Sequence, residues 1–332
     1  MSVTIQSCGI ADLPDLLELL VEDARQRHAR NPVLWAFDHE SRNRIESLLR
    51  VVLEDDSSHV REHWLIAREG SKPVGVSRSI LVPVPPIYSA KTAPGLMLDE
   101  CFVAEDAGTG TINALISATE ATLRDVGAEA FIASCCTGSP WRPVLVQNGY
   151  EPVTQFMSKD GGFEDKRASG PVALATEADI SGIITRSAEH RDRLTEANPI
   201  FWNIHPDADP IFERWMRISL TLEDRAMLVA KNAGRVDGYI IAQPVTPVQM
   251  PLTHDPNGIG AIDDFYHIDF EDRSEMTNGG AGAADLLASA ESAFARNNMK
   301  AALVVCPDNW PSKKQFLTDR GYSAAKTWLF KA

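Results

Sequence analysis

The hydrophobic and polar positions follow one succession of patterns, and that succession occurs twice along the chain. Each copy opens with an Asp that can cap a helix, followed by apolar residues at helical spacing. Two apolar strands joined by a glycine-containing turn come next, and a proline-rich exit follows them. A further strand, a glycine-bearing loop, a helix, a strand, a short helix and a last strand complete each copy. The pattern predicts an α/β chain made of two β-α-α-β-β-β-α-β-α-β units.

Landmark residues of the two copies keep both their order and their spacing. The members of each pair are 167 positions apart: Asp12 and Asp179, Pro32 and Pro199, and Trp35 and Trp202. Shared order and spacing favour an internal duplication over the alternative of two unrelated α/β domains that look alike by chance. We place the first domain at residues 1–162, a polar, glycine-bearing linker at 163–171, and the second domain at 172–332.

Composition and charge limit the possible partners. Of the 332 residues, 23% are charged and 44% are hydrophobic, which is typical of globular proteins. The formal net charge of −14 argues against nucleic acid or an anionic membrane as a partner. The same charge is compatible with a small cationic amine as a substrate, although an acidic surface is common in itself.

Targeting and cysteine patterns indicate a cytoplasmic protein. The N-terminus has no basic segment followed by an apolar one, as a signal peptide would have. No apolar run approaches the about 20 residues that a membrane-spanning helix needs. The five cysteines are scattered, which is typical of reduced, buried thiols, and neither they nor the histidines have metal-ligand spacing, so we expect no metal site.

A glycine-rich loop in each copy stands between a strand and a helix. In the second copy, residues 278–284 are small and carry no charge. Backbone N–H groups of such a loop, together with the dipole of the helix that follows, can hold a phosphate. In the first copy, Gly108 and Gly110 take this place, but Glu105 and Asp106 precede them and would repel an anion. The uncharged second loop is therefore favoured as a phosphate site, with the first loop left open.

Each copy resembles a GNAT (Gcn5-related N-acetyltransferase) domain. The resemblance covers nearly the whole chain and rests on the order of elements, on the loop with Gly108 and Gly110, on its counterpart at 278–284, and on the Gly-Tyr turns into the last strands. The acetyl-CoA signature of the family is R/Q-x-x-G-x-G/A, and neither copy has it intact. The first copy lacks the leading Arg or Gln, whereas the second is small throughout.

The resemblance implies a mixed, largely antiparallel sheet flanked by helices in each domain, with two central strands that splay apart. It implies acetyl-CoA as co-substrate, with the pantetheine arm in the gap, the pyrophosphate on the loop, and direct attack on the thioester by a small amine acceptor. The cofactor-binding positions that it implies are Ile268, Asn278, Gly279, Gly280, Ala281, Gly282 and Ala283 in the second half, and Val103, Gly108 and Gly110 in the first. A homodimer is left open.

Candidate catalytic residues lie on the strand that precedes each loop. A base must take a proton from the amine. We take Glu100, Asp264 and His267 as candidates because each lies on the strand just before the phosphate loop. Adjacent strand residues point to opposite faces, so at most one member of an acidic pair faces the acceptor. The alternatives are a carboxylate that binds a cationic acceptor, an acid bound to a neighbouring loop, and a structural histidine.

Two further features leave alternatives open. The family commonly places a Tyr acid in the short helix after the splayed strand, and neither half has a Tyr there. The alternative to an acetyltransferase is therefore a catalytically degenerate protein that binds a ligand or a partner on the same scaffold. Lys313 beside that helix is a candidate for the 3′-phosphate of CoA or part of a solvated face. Trp35 and Trp202 are interpreted as packing residues, with the acceptor pocket as the alternative.

Overall fold

The computed structural model describes residues 3–54, 62–165, 172–246 and 248–332. Most of the predicted linker, at 166–171, lies outside the described residues. The strands of the N-terminal half are β1 (Val3–Ser7), β2 (Glu62–Glu69), β3 (Lys72–Leu81), β4 (Gly95–Met97), β5 (Phe102–Val103), β6 (Phe131–Cys136) and β7 (Glu151–Asp160). Its helices are α1 (Leu13–Arg30), α2 (Ser41–Glu54), α3 (Thr111–Asp125) and α4 (Trp141–Gln147).

The C-terminal half repeats this order of elements. Its strands are β8 (Val172–Leu174), β9 (Ala226–Asn232), β10 (Arg235–Pro244), β11 (Ile259–His267), β12 (Ala301–Pro307) and β13 (Ser323–Lys331). Its helices are α5 (Ile180–Ala197), α6 (Ala208–Ser219), α7 (Ala281–Arg296) and α8 (Pro311–Thr318). The predicted mixed α/β architecture, a sheet flanked by helices in each half, is confirmed.

The first helix of each half begins where its sequence predicts. The Asp12 carboxylate accepts a hydrogen bond from the N–H of Gly9 (3.0 Å), and the Asp179 carboxylate does the same for Thr176 (2.9 Å). Each carboxylate thus closes the turn that leads into α1 or α5. Leu16 and Leu20 are fully buried at helical spacing on α1, which packs that helix against the sheet.

All described strands belong to one sheet with the order β1-β2-β3-β4-β6-β13-β7-β12-β11-β10-β9-β8, with β5 paired to β3. The last strands of the two halves are exchanged. Strand β13 lies between β6 and β7, and β7 lies between β13 and β12, all in antiparallel pairing. Each half therefore has its sheet extended by the last strand of the other half.

The proline-rich segments also cross between the halves. The N–H of Leu252 donates to Glu100 (2.6 Å), and the His254 ring lies 5.4 Å from that of Trp35. Reciprocally, Tyr88 lies 5.2 Å from Trp202 in the other half. Both tryptophans therefore pack in the contact between the halves, in agreement with the packing interpretation.

Candidate functional site

The splayed strands are present in both halves. Strand β4 pairs in parallel with β6 only from Gly95 to Met97. Strand β11 pairs in parallel with β12 only from Ile259 to Ile262, although β11 continues to His267. Beyond these points the two strands of each pair separate. Each half thus has a gap in which backbone groups of one strand no longer meet the other.

The gap of the N-terminal half opens into a cavity of about 380 Å³. The residues that line it come from α1, from the end of the splayed strands, from the glycine loop and from the start of α4. They include Asp23, Arg27, Asp99, Ser134, Cys136 and Trp141. Val103 and Gly108, both predicted as cofactor-binding positions, also line this cavity. The structure therefore brings two of the three first-half positions to one site.

The third position, Gly110, caps the start of α3 without a side chain. No side-chain hydrogen bond caps this helix, and a Cβ at Gly110 would have no neighbour within 4 Å. Asp106, whose charge would repel a phosphate, forms an exposed ion pair with Lys72. The N–H of Gly108 donates to the half-buried Glu69 carboxylate (2.7 Å). The helix start is thus open at Gly110, with one nearby donor already held by a side chain.

A buried polar network lies at the inner end of the cavity. The Arg27 guanidinium donates to the Asp23 carboxylate and to the backbone carbonyl of Asp99. The Asp99 carboxylate accepts from Ser134 Oγ (2.5 Å) and from Lys326 Nζ (2.8 Å). Two carboxylates thus face two cations, and Lys326 comes from β13 of the other half.

The two carboxylates of this network differ in their proton affinity. Burial raises the pKa of Asp23 to about 7, against the lowering effect of Arg27, while Glu100 and Asp99 add to the rise. Burial also raises the pKa of Asp99, but Lys326 and Arg27 outweigh burial and hold that pKa below its usual value. Asp23 can therefore exchange a proton near neutral pH, whereas Asp99 stays ionised.

The gap of the C-terminal half is filled by its own side chains. Lys313 is buried, and its Nζ donates to the backbone carbonyl of Phe265 in the gap (2.6 Å). The rings of Phe265, Phe270 and Trp310 lie 5.3–5.4 Å from this Nζ. Burial lowers the pKa of Lys313. Lys313 is thus neither in contact with solvent nor placed to meet a phosphate at the surface.

The start of α7 already holds a carboxylate. Asp269 is 1% exposed, and its Oδ2 accepts from the N–H of Ala283 (3.1 Å). Asn278 Nδ2 lies 3.4 Å from Asp269 Oδ1. Two of the predicted cofactor-binding positions of this half, Asn278 and Ala283, thus contact a side chain of the protein itself. The other predicted positions lie between residue 268 and the first turn of α7: Ile268, Gly279, Gly280, Ala281 and Gly282. A carboxylate at this helix start takes the place that a phosphate would need.

The three predicted catalytic side chains do not line the cavity of the N-terminal half. Glu100 is 1% exposed and binds Arg78 (3.0 Å). Asp264 accepts from His190 Nδ1 (3.0 Å) and from the hydroxyl of Tyr239 (2.8 Å). His267 is buried, and burial lowers its pKa. Each of the three is thus held by neighbouring groups, and Glu100 is held both by Arg78 of its own half and by the N–H of Leu252 from the other half.

The His267 ring fits in a slot between two glycines. A Cβ at Gly238 would lie 2.5 Å from ring atom Cδ2, and a Cβ at Gly282 would lie 2.3 Å from Cε1 and Nε2. Separations this short do not occur between non-bonded atoms. The slot therefore exists because both positions lack a side chain.

We expect Gly282→Ala to destabilise the protein by about 1–3 kcal/mol through overpacking against the His267 ring. In a His267→Ala background the clash disappears, and the same change should stabilise α7 by about 0.5–1 kcal/mol, the usual advantage of Ala over Gly in a helix. Urea unfolding of the four variants measures both values. If Gly282→Ala lowered the free energy of unfolding equally in both backgrounds, the clash with the His267 ring would not be its cause.

Sequence reasoning missed Asp23, Arg27 and Lys326. One signal for the first two was present, because Asp23 and Arg27 are four residues apart on the same face of α1 as Leu16 and Leu20. A charged pair on an apolar helix face indicates buried polar contacts. Lys326 gave no comparable signal, because its role depends on which strands pair with β13.

The described residues contain neither a metal-ion cluster nor a membrane-spanning helix. No group of three or more His, Cys, Asp or Glu side chains in the described part of the chain is arranged to hold a metal ion. Within the same residues, no helix combines the length and the apolar character needed to cross a membrane.

Comparison with known proteins identifies the fold. No protein-family profile and no curated protein sequence matches the chain. Solved structures do match it. A GCN5-related N-acetyltransferase from Sphaerobacter thermophilus shares 13% identity, with 99% of this chain and 95% of that chain covered and a TM-score of 0.57. A tandem GNAT protein from the clavulanic acid biosynthesis pathway shares 13% identity over 99% and 97% of the two chains, with a TM-score of 0.48. The first of these matches, with a TM-score of 0.57, shows that the chain has a GNAT fold. The duplicated order of elements is seen in the structure itself, and the predicted resemblance is confirmed for the fold.

Proposed function

We propose that this protein is an acyl-CoA-dependent N-acetyltransferase that acts on a small amine, with acetyl-CoA bound in the gap of the N-terminal half. One observation carries the proposal: of the two gaps, the N-terminal one opens into a cavity, whereas Lys313 and Asp269 fill the C-terminal one. The proposal therefore places the cofactor in the half that the sequence favoured less.

The residues around the cavity suit the parts of acetyl-CoA. Backbone groups of the splayed strands beyond Met97 can pair with the pantetheine arm, since β6 no longer meets them. The start of α3 can hold the pyrophosphate, because Gly110 leaves it open and the helix dipole favours an anion there. Glu69 stands at the end of β2 and must rotate away from Gly108 when the phosphate binds.

The polar network supplies a base for the transfer. The amine nitrogen attacks the thioester carbonyl carbon, so that a C–N bond forms and the C–S bond breaks. Asp23 accepts the proton that the amine loses, because its pKa of about 7 suits proton exchange at neutral pH. The thiolate of CoA leaves and takes its proton from solvent. Asp264 and His267 have no role in this scheme, and Glu100 acts only through its charge, which helps to raise the pKa of Asp23.

A binding protein without turnover is the second candidate. It is favoured by the filled C-terminal gap, which is one GNAT half without a cofactor site, and by Trp141 at the start of α4, where no Tyr is available as an acid. Thiol release from acetyl-CoA in the presence of a panel of primary amines separates the two candidates. Binding without thiol release would favour the second.

Gly110→Asp tests the assigned half. The change puts a carboxylate where the pyrophosphate is expected, and we expect acetyl-CoA to bind at least about tenfold more weakly, a loss of about 1.4 kcal/mol. Because Asp is a favourable N-cap residue, the variant should keep the thermal stability of the wild type. Isothermal titration measures the affinity.

Ala281→Asp is the matched control, since Ala281 is the exposed first residue of α7. It should bind acetyl-CoA like the wild type. The opposite result, with Ala281→Asp impaired and Gly110→Asp normal, would move the site to the C-terminal half. If the wild-type protein showed no binding at acetyl-CoA concentrations up to about 1 mM, the proposed function would be overturned. Such a result corresponds to a binding free energy weaker than about −4 kcal/mol.

A further inference from the structure

The exchanged strand β13 carries a lysine into the site of the other half. We propose that Lys326 is a positioning residue of the N-terminal site, and that it holds the Asp99 carboxylate across the gap so that acyl transfer can proceed. The C-terminal half, whose own gap is filled, would thus complete the site of its partner half. This inference rests on the proposed function.

Among the described ion pairs, Lys326 has one partner, Asp99. Its side chain is 0% exposed, and its Nζ lies 2.8 Å from Asp99 Oδ2. The ring of Phe156 lies 4.7 Å from the same Nζ. A fully buried ammonium is costly unless it is paired, so the position of Lys326 is set by Asp99.

Asp99 in turn connects the parts of the site. It lies two residues beyond Met97, the last residue of β4 that pairs with β6. Its Oδ1 accepts from Ser134 on β6, and its backbone carbonyl accepts from Arg27 on α1, the partner of Asp23. Lys326 therefore fixes a carboxylate that spans the two splayed strands and adjoins the proposed base.

The equivalent position in the other half has no charged pair. Lys326 stands opposite Cys136 in the pairing of β13 with β6, and Thr154 stands opposite Pro307 in the matching pairing of β7 with β12. Thr154 is buried and carries no charge. A pair that served only to hold the duplicated sheet would be expected in both halves. The charged pair instead accompanies the half with the open cavity.

The charge on Lys326 also helps to keep Asp99 ionised. The charged and titratable groups around Asp99 come from several elements: Arg27 and Asp23 from α1, Ser134, Cys135 and Cys136 from β6, the neighbouring Glu100 and Cys101, His254 from the proline-rich segment of the other half, and Lys326 from β13. Lys326 and Arg27 keep the pKa of Asp99 low. Without Lys326, burial and the neighbouring carboxylates dominate, and Asp99 takes up a proton at a higher pH.

The first test is the pH profile of kcat/KM for thiol release from acetyl-CoA with the best amine of the panel. For Lys326→Met we expect at least about a tenfold loss at neutral pH, the equivalent of about 1.4 kcal/mol, and an acid limb moved to higher pH. Lys326→Arg, which keeps the charge, should recover part of the rate with the wild-type acid limb. Lys313→Met is the matched control: it removes the buried lysine of the other half and should leave the profile unchanged.

The second test covers the case in which Lys326→Met fails to fold. The double variant Asp99→Asn/Lys326→Met removes both charges, so that no buried charge is left unpaired and folding is restored. We expect it to be folded and still at least about tenfold slower than the wild type. If either the double variant or Lys326→Met had the kcat/KM and the acid limb of the wild type, this inference would be overturned and the proposed function would stand. A wild-type protein that neither binds nor turns over acetyl-CoA would overturn it together with the proposed function.

Discussion

A chain that ends at Tyr322 is expected to lose the folded structure of both halves. This truncation removes β13, which pairs with β6 on one side and with β7 on the other. It also removes Leu329, which is fully buried in a cluster otherwise made of N-terminal residues. Two hydrogen-bonded ladders and a core residue would be lost at once, and two strands would become unpaired edges. Far-UV circular dichroism and gel filtration should show an unfolded or aggregated chain.

The control for this truncation is a chain that starts at Cys8. It lacks β1, which lies at the edge of the sheet and pairs with β2 alone. We expect that variant to keep a cooperative unfolding transition with reduced stability. A truncated chain ending at Tyr322 that unfolds cooperatively, or a folded fragment of residues 1–165, would contradict the role assigned to the exchanged strand.

Arg78→Met is the second change with a large expected effect. Arg78 on β3 bridges Glu62 (2.6 Å) and Glu100 (3.0 Å), and Glu100 is 1% exposed. Removal of the guanidinium leaves the Glu100 charge buried without a cation. We expect a loss of about 3–5 kcal/mol in the free energy of unfolding, as for other buried pairs broken on one side. Urea denaturation measures the loss.

Two variants bracket this result. Arg50→Met breaks the exposed i,i+4 contacts with Glu46 and Glu54 on α2 and should cost at most about 0.5 kcal/mol. Glu100→Gln in the Arg78→Met background removes the stranded charge but keeps an oxygen for the N–H of Leu252, so it should regain part of the loss. If Arg78→Met and Arg50→Met lowered the free energy of unfolding equally, the loss could not be attributed to the buried charge of Glu100.

The duplicated order of elements could be predicted from the sequence because each unit depends on local patterns. Helix spacing, capping residues such as Asp12 and Asp179, and glycine turns all act within a few residues. The partners of a strand are not fixed locally. Nothing within the last strand distinguishes pairing in its own half from pairing in the other, so the exchange of β7 and β13 and the place of Lys326 could not be derived.

The candidate site shows a second limit of sequence reasoning. The loop at 278–284 is composed of small residues, and its backbone donors suit a phosphate by composition alone. Whether those donors are free depends on the folded chain, where Asp269 takes the N–H of Ala283 and Lys313 takes the carbonyl of Phe265. The first loop looked less favourable because of Glu105 and Asp106, yet Lys72 pairs with the charge of Asp106, while Glu105 lines the cavity. In both loops the deciding partner lies outside the motif.

The exchange of last strands also bears on synthesis by the ribosome. The N-terminal half emerges first, but the strand that separates β6 from β7 spans residues 323–331 and is the last strand of the C-terminal half. Until those residues leave the exit tunnel, β6 and β7 each present an edge without its final neighbour. The nascent chain must therefore carry an incomplete N-terminal sheet while the C-terminal half is synthesised, and the proposed acyl-transfer site forms only once β13 has emerged.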